Sequence, residues 1–184
     1  GTDKPLRCNM DMGFVLVPPD QKRVPVKIVA YPGESDKGPY PVPDSVPIEG
    51  WPVHHRPELS LADVQRDKLK QGGDRHAIVV DPTRRMLYEF GYMKKTDSGW
   101  EAGVAAIFDL KTNQLRPVGW TSTDAAGLPL FPAVVRYDEL QRGMVGDHRY
   151  IEPDGSQRAC RTAGGLPDLF ITGKTQRRCH LLEV

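Results

Sequence analysis

The residues best suited to chemistry fall in two places. The first is Asp74-Arg75-His76, at the entry to an apolar run. In extended backbone Asp74 and His76 share a face and Arg75 points the other way. A carboxylate beside an imidazole can orient it as a general base or a ligand. The same trio also reads as a hydrogen-bonded strand start, with Arg75 paired to a carboxylate. The second place is the stretch from Gly119 to Glu139. It carries Trp120, a Thr-Ser-Thr-Asp cluster ending at Asp124, and Arg136-Tyr137-Asp138-Glu139. Prolines and apolar anchors stiffen the chain between these groups, as in loops that hold functional side chains at fixed offsets.

Glu89, Asp124, Asp138 and Glu139 supply carboxylates. Glycoside hydrolysis needs two of them, ~5–5.5 Å apart in retaining enzymes and ~6.5–9.5 Å apart in inverting ones. Neighbours such as Asp138 and Glu139 diverge, so either would need Asp124 or Glu89 as its partner. Asp138 and Glu139 also read as the acidic first turn of a short helix near 138–142. Asp124, after three hydroxyl residues, suits a turn or cap. Trp120 is the aromatic best placed to stack on a sugar ring, and Arg75, Glu89, Arg136, Tyr137 and Asp138 complete a candidate ligand set.

Several chemistries find no support. His54 and His55 are adjacent and would diverge in extended chain, and no HExxH spacing occurs. No metal site and no cofactor are expected. The sequence has no nucleophile elbow, phosphate loop or dinucleotide fingerprint. Cys8, Cys160 and Cys179 lack CxxC spacing, which leaves one disulfide or three free thiols open. The formal net charge is +1, so no nucleic-acid footprint is expected. No apolar run reaches the ~18–20 residues that a membrane span needs.

The elements that must position these groups are short. Gly 18 and Pro 17 are spread along the chain, which favours many turns between strands. Phe14–Val17 reads as a buried strand. Val24–Tyr31 alternates, and Pro25 puts it at an edge. The proline-dense stretch from Pro32 to Pro57 reads as an extended surface loop. Ser60 with Asp63, and Leu59 with Val64, mark a capped helix over 61–71, stopped by Gly72-Gly73. His76–Val80 and Met86–Phe90 form a hairpin pair around Asp81–Arg85. Trp100–Leu110 alternates, with Trp100, Ala102, Val104, Ala106, Phe108 and Leu110 on one face. After about Gly146 neither strand nor helix period holds, and only Leu169–Thr172 looks strand-like. The chain begins at Gly1 rather than Met, which reads as a processed form or fragment.

In order, Gly72-Gly73-Asp74-Arg75-His76 with Val79-Val80-Asp81, Leu87-Tyr88-Glu89, Gly119-Trp120-Thr121-Ser122 with Asp124-Ala125-Ala126-Gly127-Leu128-Pro129, and Val135-Arg136-Tyr137-Asp138-Glu139 resemble a family of bacterial, mostly exported proteins of unassigned activity. The resemblance covers about residues 8–145. It implies an extracytoplasmic or secreted location and carries no chemistry with it.

These observations predict a mainly β domain over 1–146, a sandwich or partly open barrel with one short helix, followed by an atypical, loosely packed tail over 147–184. The function expected is an extracytoplasmic binding or structural module, with a glycan or another small polar ligand as partner. The alternative is a glycan-active hydrolase or lyase that uses Asp74, His76, Asp124 and Glu139.

Overall fold

The computed structural model describes residues 12–52, 57–70, 72–112 and 114–133, with the backbone of 148–151, 157–160 and 182–183. The chain forms two compact units, Gly1–Gly127 and Leu128–Val184. The first is mainly β, with one short α-helix and no closed barrel among its described residues.

Seven strands make two mixed sheets. Strands β1 (Phe14–Leu16), β3 (Ala77–Asp81), β4 (Met86–Gly91) and β7 (Val104–Asp109) lie in the order β1-β3-β4-β7, with β1 parallel to β3 and the other pairs antiparallel. Strands β2 (Val26–Ile28), β6 (Gly99–Ala102) and β5 (Lys94–Thr96) lie in the order β2-β6-β5, with β2 parallel to β6. Strand β2 is an edge, as Pro25 predicts. The turn between β3 and β4 is locked by Asp81, which accepts hydrogen bonds from the Arg84 amide and guanidinium, both at 2.9 Å.

One core joins the sheets. Val79, Tyr88, Phe90 and Ala105 of the larger sheet pack with Trp100 and Ala102 of the smaller one. The stretch 32–57 is expected on the surface, yet its described part, 32–52, also fills this core. Tyr40, Val42, Val46 and Ile48 are buried in it. Their prolines keep the chain extended, so apolar side chains between them can point inward while the backbone stays irregular. Gln65 donates to the carbonyls of Asp44 and Val46, both at 2.8 Å, and so satisfies two acceptors of that buried loop.

The Trp100–Leu110 stretch is not one uniform strand. Gly103 interrupts it, and the side chains that face the main core change from Trp100 and Ala102 to Ala105 and Ile107. Opposite this point Tyr92 has φ +54 and is exposed, while Met93 is buried. Pairing is kept on both sides, Gly91↔Val104 and Lys94↔Glu101. The two long strands therefore bend together and pass from one sheet to the other, as sandwich corners do. Phe108 is buried as predicted, but on the far face of the larger sheet, with Ile78, Leu87 and Ala106.

The helix α1 (Leu61–Gln65) begins at Ser60 with both halves of the capping box formed. It ends well before Gly72. Asp67 takes φ +51, and the Arg75 guanidinium donates to the carbonyls of Val64 at 2.8 Å and Gln65 at 3.3 Å. A distant arginine, rather than the glycine pair, satisfies the helix end.

In the second unit, β8 (His148–Ile151), β9 (Gln157–Cys160) and β10 (Leu182–Glu183) form an antiparallel sheet in the order β10-β8-β9. The absence of a hydrophobic period hid the first two of these strands. The sequence between them nonetheless carries Pro153-Asp154-Gly155, residues that favour turns. The expected boundary at 146, the helical turn near 138–142 and the strand-like 169–172 lie outside the described residues.

Candidate functional site

His76 lies on the far face of the larger sheet, one residue before β3. Its neighbour on that face is Glu89 of β4, which pairs with Ile78. Glu89 is fully buried on an otherwise apolar face. A buried carboxylate needs hydrogen-bond donors, and the Thr123 hydroxyl provides one at 3.0 Å. The Thr123 carbonyl in turn lies 3.1 Å from His76 Nε2. On the other side of the ring, His76 Nδ1 lies 2.8 Å from a Glu49 carboxylate oxygen, which also accepts the His76 backbone N–H at 3.2 Å. The Glu49 N–H donates back to the His76 carbonyl at 2.8 Å. The result is one polar line across the sheet: Glu49, His76, Thr123, Glu89.

The partner that orients His76 is therefore Glu49, not Asp74. Arg75 has φ +48, so the backbone is not extended there and Asp74 leaves the His76 face. Asp74 is exposed. Burial pushes the His76 pKa down, but the hydrogen bond and charge of Glu49 and the Thr123 carbonyl outweigh it, and the net shift is upward. The hydrogen bond from His76 holds the Glu49 carboxyl below its ordinary value, against its partial burial. Both shifts favour the charged pair.

Arg75 serves structure rather than ligand. It pairs with Asp67 at 3.3 Å and donates to the Met93 carbonyl at 3.1 Å, besides capping α1. Asp124 is a turn residue: its carboxylate accepts from the Ala126 N–H at 2.7 Å, and its own N–H donates to the Ser122 hydroxyl at 2.9 Å. Trp120 is half-buried, with the Arg116 guanidinium 5.4 Å from its ring centroid. Of the predicted set, the structure brings His76 and Glu89 together. Arg75 and Asp124 have other duties, and Asp74 lies exposed, off the His76 face. Arg136, Tyr137, Asp138 and Glu139 lie outside the described residues.

A second polar cluster went unread in the sequence. The side chain of Arg116 is only 5% exposed and pairs with Asp36. It also donates to the carbonyls of Glu34 at 2.6 Å and Thr121 at 2.9 Å, and its guanidinium faces the ring of Phe108 at 5.8 Å. Glu34 accepts the Thr121 N–H at 2.9 Å. Asp36 accepts the Ile107 N–H at 2.8 Å, and the Ser35 hydroxyl accepts the Ala105 N–H at 3.1 Å. Side chains of 35–36 thus occupy the free edge of β7, while Arg116 ties the 116–127 segment to the same loop. Nothing in local pattern marks Asp36 or Arg116, which are 80 residues apart.

Among the described residues no group of three or more His, Cys, Asp or Glu could hold a metal ion, and no helix is long and apolar enough to cross a membrane. No family model matches the chain, and comparison with curated proteins and with solved structures finds no match either.

Proposed function

We propose that this protein is a non-catalytic β-sandwich module that binds carbohydrate outside the cytoplasm. The observation that carries the reading is a pair of exposed tyrosines whose chain meets at the sheet corner. Tyr31 and Tyr92 are 44% and 46% exposed, and both meet Gly103. The Tyr31 N–H donates to the Gly103 carbonyl at 2.8 Å. The Tyr92 ring fills the space where a side chain at 103 would stand. The Tyr92 ring, seated on the Gly103 backbone, offers a rigid apolar surface with a polar tip, the combination that suits a sugar ring and its hydroxyls. Asp74, exposed and joined to Tyr92 through its backbone carbonyl at 2.6 Å, brings a carboxylate to the same backbone neighbourhood.

The geometry of His76 favours binding over catalysis. A general base needs a free lone pair, and both ring nitrogens of His76 face acceptors. The extracytoplasmic assignment rests on the resemblance of the 72–139 motifs to exported bacterial proteins.

Affinity electrophoresis in soluble polysaccharides tests the reading. Retardation by at least one glycan is expected. Tyr31→Ala and Tyr92→Ala should each weaken it by about tenfold, comparable to the loss of one good ring contact. Migration unaffected by every glycan tried would refute carbohydrate binding. Retardation that both variants retain in full would move the surface elsewhere.

A further inference from the structure

His76 stands between two groups that can only accept. A carboxylate and a backbone carbonyl carry no proton to donate. Glu49 lies at 2.8 Å from Nδ1 and the Thr123 carbonyl at 3.1 Å from Nε2. Both hydrogen bonds form together only if both nitrogens carry hydrogen, that is, in the imidazolium. We propose that His76 is a protonation-dependent latch that holds the Thr121–Gly127 loop onto the larger sheet.

Among the described residues, four charged or titratable groups lie around it. Glu49 approaches from the loop before α1. Glu89 approaches from β4 through the Thr123 hydroxyl. Asp74, two residues upstream, favours the charged ring through its own negative charge. The neighbouring Arg75 is turned toward Asp67 and the end of α1. The charges of Glu49 and Asp74 favour the cation, and the raised pKa agrees with the geometry.

The contact that fails on deprotonation is determined by bond strength. The Nδ1–H bond to Glu49 is charge-assisted and the stronger of the two. The neutral ring keeps it and turns an Nε2 lone pair toward the Thr123 oxygen. Two acceptors then face each other, and the Thr123 carbonyl is released, while its hydroxyl keeps the bond to Glu89. The loop keeps its inner turn, in which the Ser122 and Gly127 N–H groups donate to the Asp124 carbonyl at 3.0 Å, and its anchors at Thr121, to Arg116 and Glu34, so what opens is the middle of the loop at Thr123. The latch is closed at low pH and opens as pH rises through the folded-state pKa of His76.

Two titrations of the folded protein test this. NMR of the imidazole nitrogens reads the ring, and hydrogen-exchange protection factors of the 121–127 amides read the loop. Expected is a doubly protonated ring below its raised pKa, and a loss of loop protection on the order of tenfold, equivalent to one net hydrogen bond, with the same midpoint. Glu49→Gln keeps an acceptor but removes the charge, so it should move both midpoints down together. A ring that is singly protonated already at pH 6 overturns the proposal. So does loop protection that stays flat through the ring titration, or a loop midpoint that ignores Glu49→Gln when the ring midpoint moves.

Discussion

At the scale of single residues, the two polar clusters divide the labour between position and charge. Arg116 is the most heavily engaged cation described, with one carboxylate, two carbonyls and two ring faces around a nearly buried side chain. Lysine can supply the charge but not the planar fork. Arg116→Lys should cost about 1–3 kcal/mol, and Arg116→Ala about 3–5 kcal/mol, because Asp36 is left without its cation. Urea titration measures both, and wild-type stability for the alanine variant would disprove the assignment. The Glu49–His76 pair sets a pH window. The His76 pKa is raised on folding, so its contribution is complete below about 6.5 and is lost as pH climbs through the raised value. The Glu49 pKa is lowered, so its contribution is present above about 4.5 and is lost as pH falls through the lowered value. Chemical denaturation across pH should give a plateau between those limits that disappears in Glu49→Ala. His76 was legible in the sequence as a candidate because it opens a strand. Glu49 was not, because it stands 27 residues away in a loop without period.

At the scale of elements, local signals were readable where local bonds decide. The Ser60 cap is such a case: the hydroxyl accepts the Asp63 N–H at 3.2 Å and the Asp63 carboxylate accepts the Ser60 N–H at 3.1 Å, all within four residues. Ser60→Ala should cost about 0.5–2 kcal/mol, and a change indistinguishable from zero would count against the cap. The helix end was misread because its partner is tertiary. Arg75 reaches α1 from beyond the Gly72-Gly73 pair, and no local rule contains it. The hairpin corner was misread for another reason. Alternation through Gly103 is unbroken in sequence, but the bend moves the core-facing set from even to odd positions. Gly103→Ala would drive a methyl group into the Tyr92 ring and should cost about 1–3 kcal/mol. In Gly103→Ala/Tyr92→Ala the ring is gone and most of that cost should vanish. A double-mutant cycle reads the difference, and additive losses would show that the ring is not the obstacle.

At the scale of the whole molecule, the strand content and sandwich class followed from turn density and alternation. The pairing order did not, because β1 and β2 join their sheets in parallel across long stretches of chain. Phe14 pairs with Ile78, and Val26 with Trp100. That contrast orders events in time. The bent pair formed by β4–β5 and β6–β7 closes around the short Thr96–Gly99 turn and already contains one strand pair of each sheet. Loop closure costs little over so short a span and more over the separations that β1 and β2 must bridge. The corner at Gly103 therefore places the start of both sheets in one local event, and the N-terminal strands arrive on a template already built. Truncations along Leu87, Phe90 and Ala105 should slow refolding, whereas Val15→Ala and Val26→Ala should mainly speed unfolding. Stopped-flow chevrons separate the two, and slowed refolding in the β1 and β2 variants would reverse the order. A chain built this way commits its two layers together in its slow step, and captures its own beginning only afterwards.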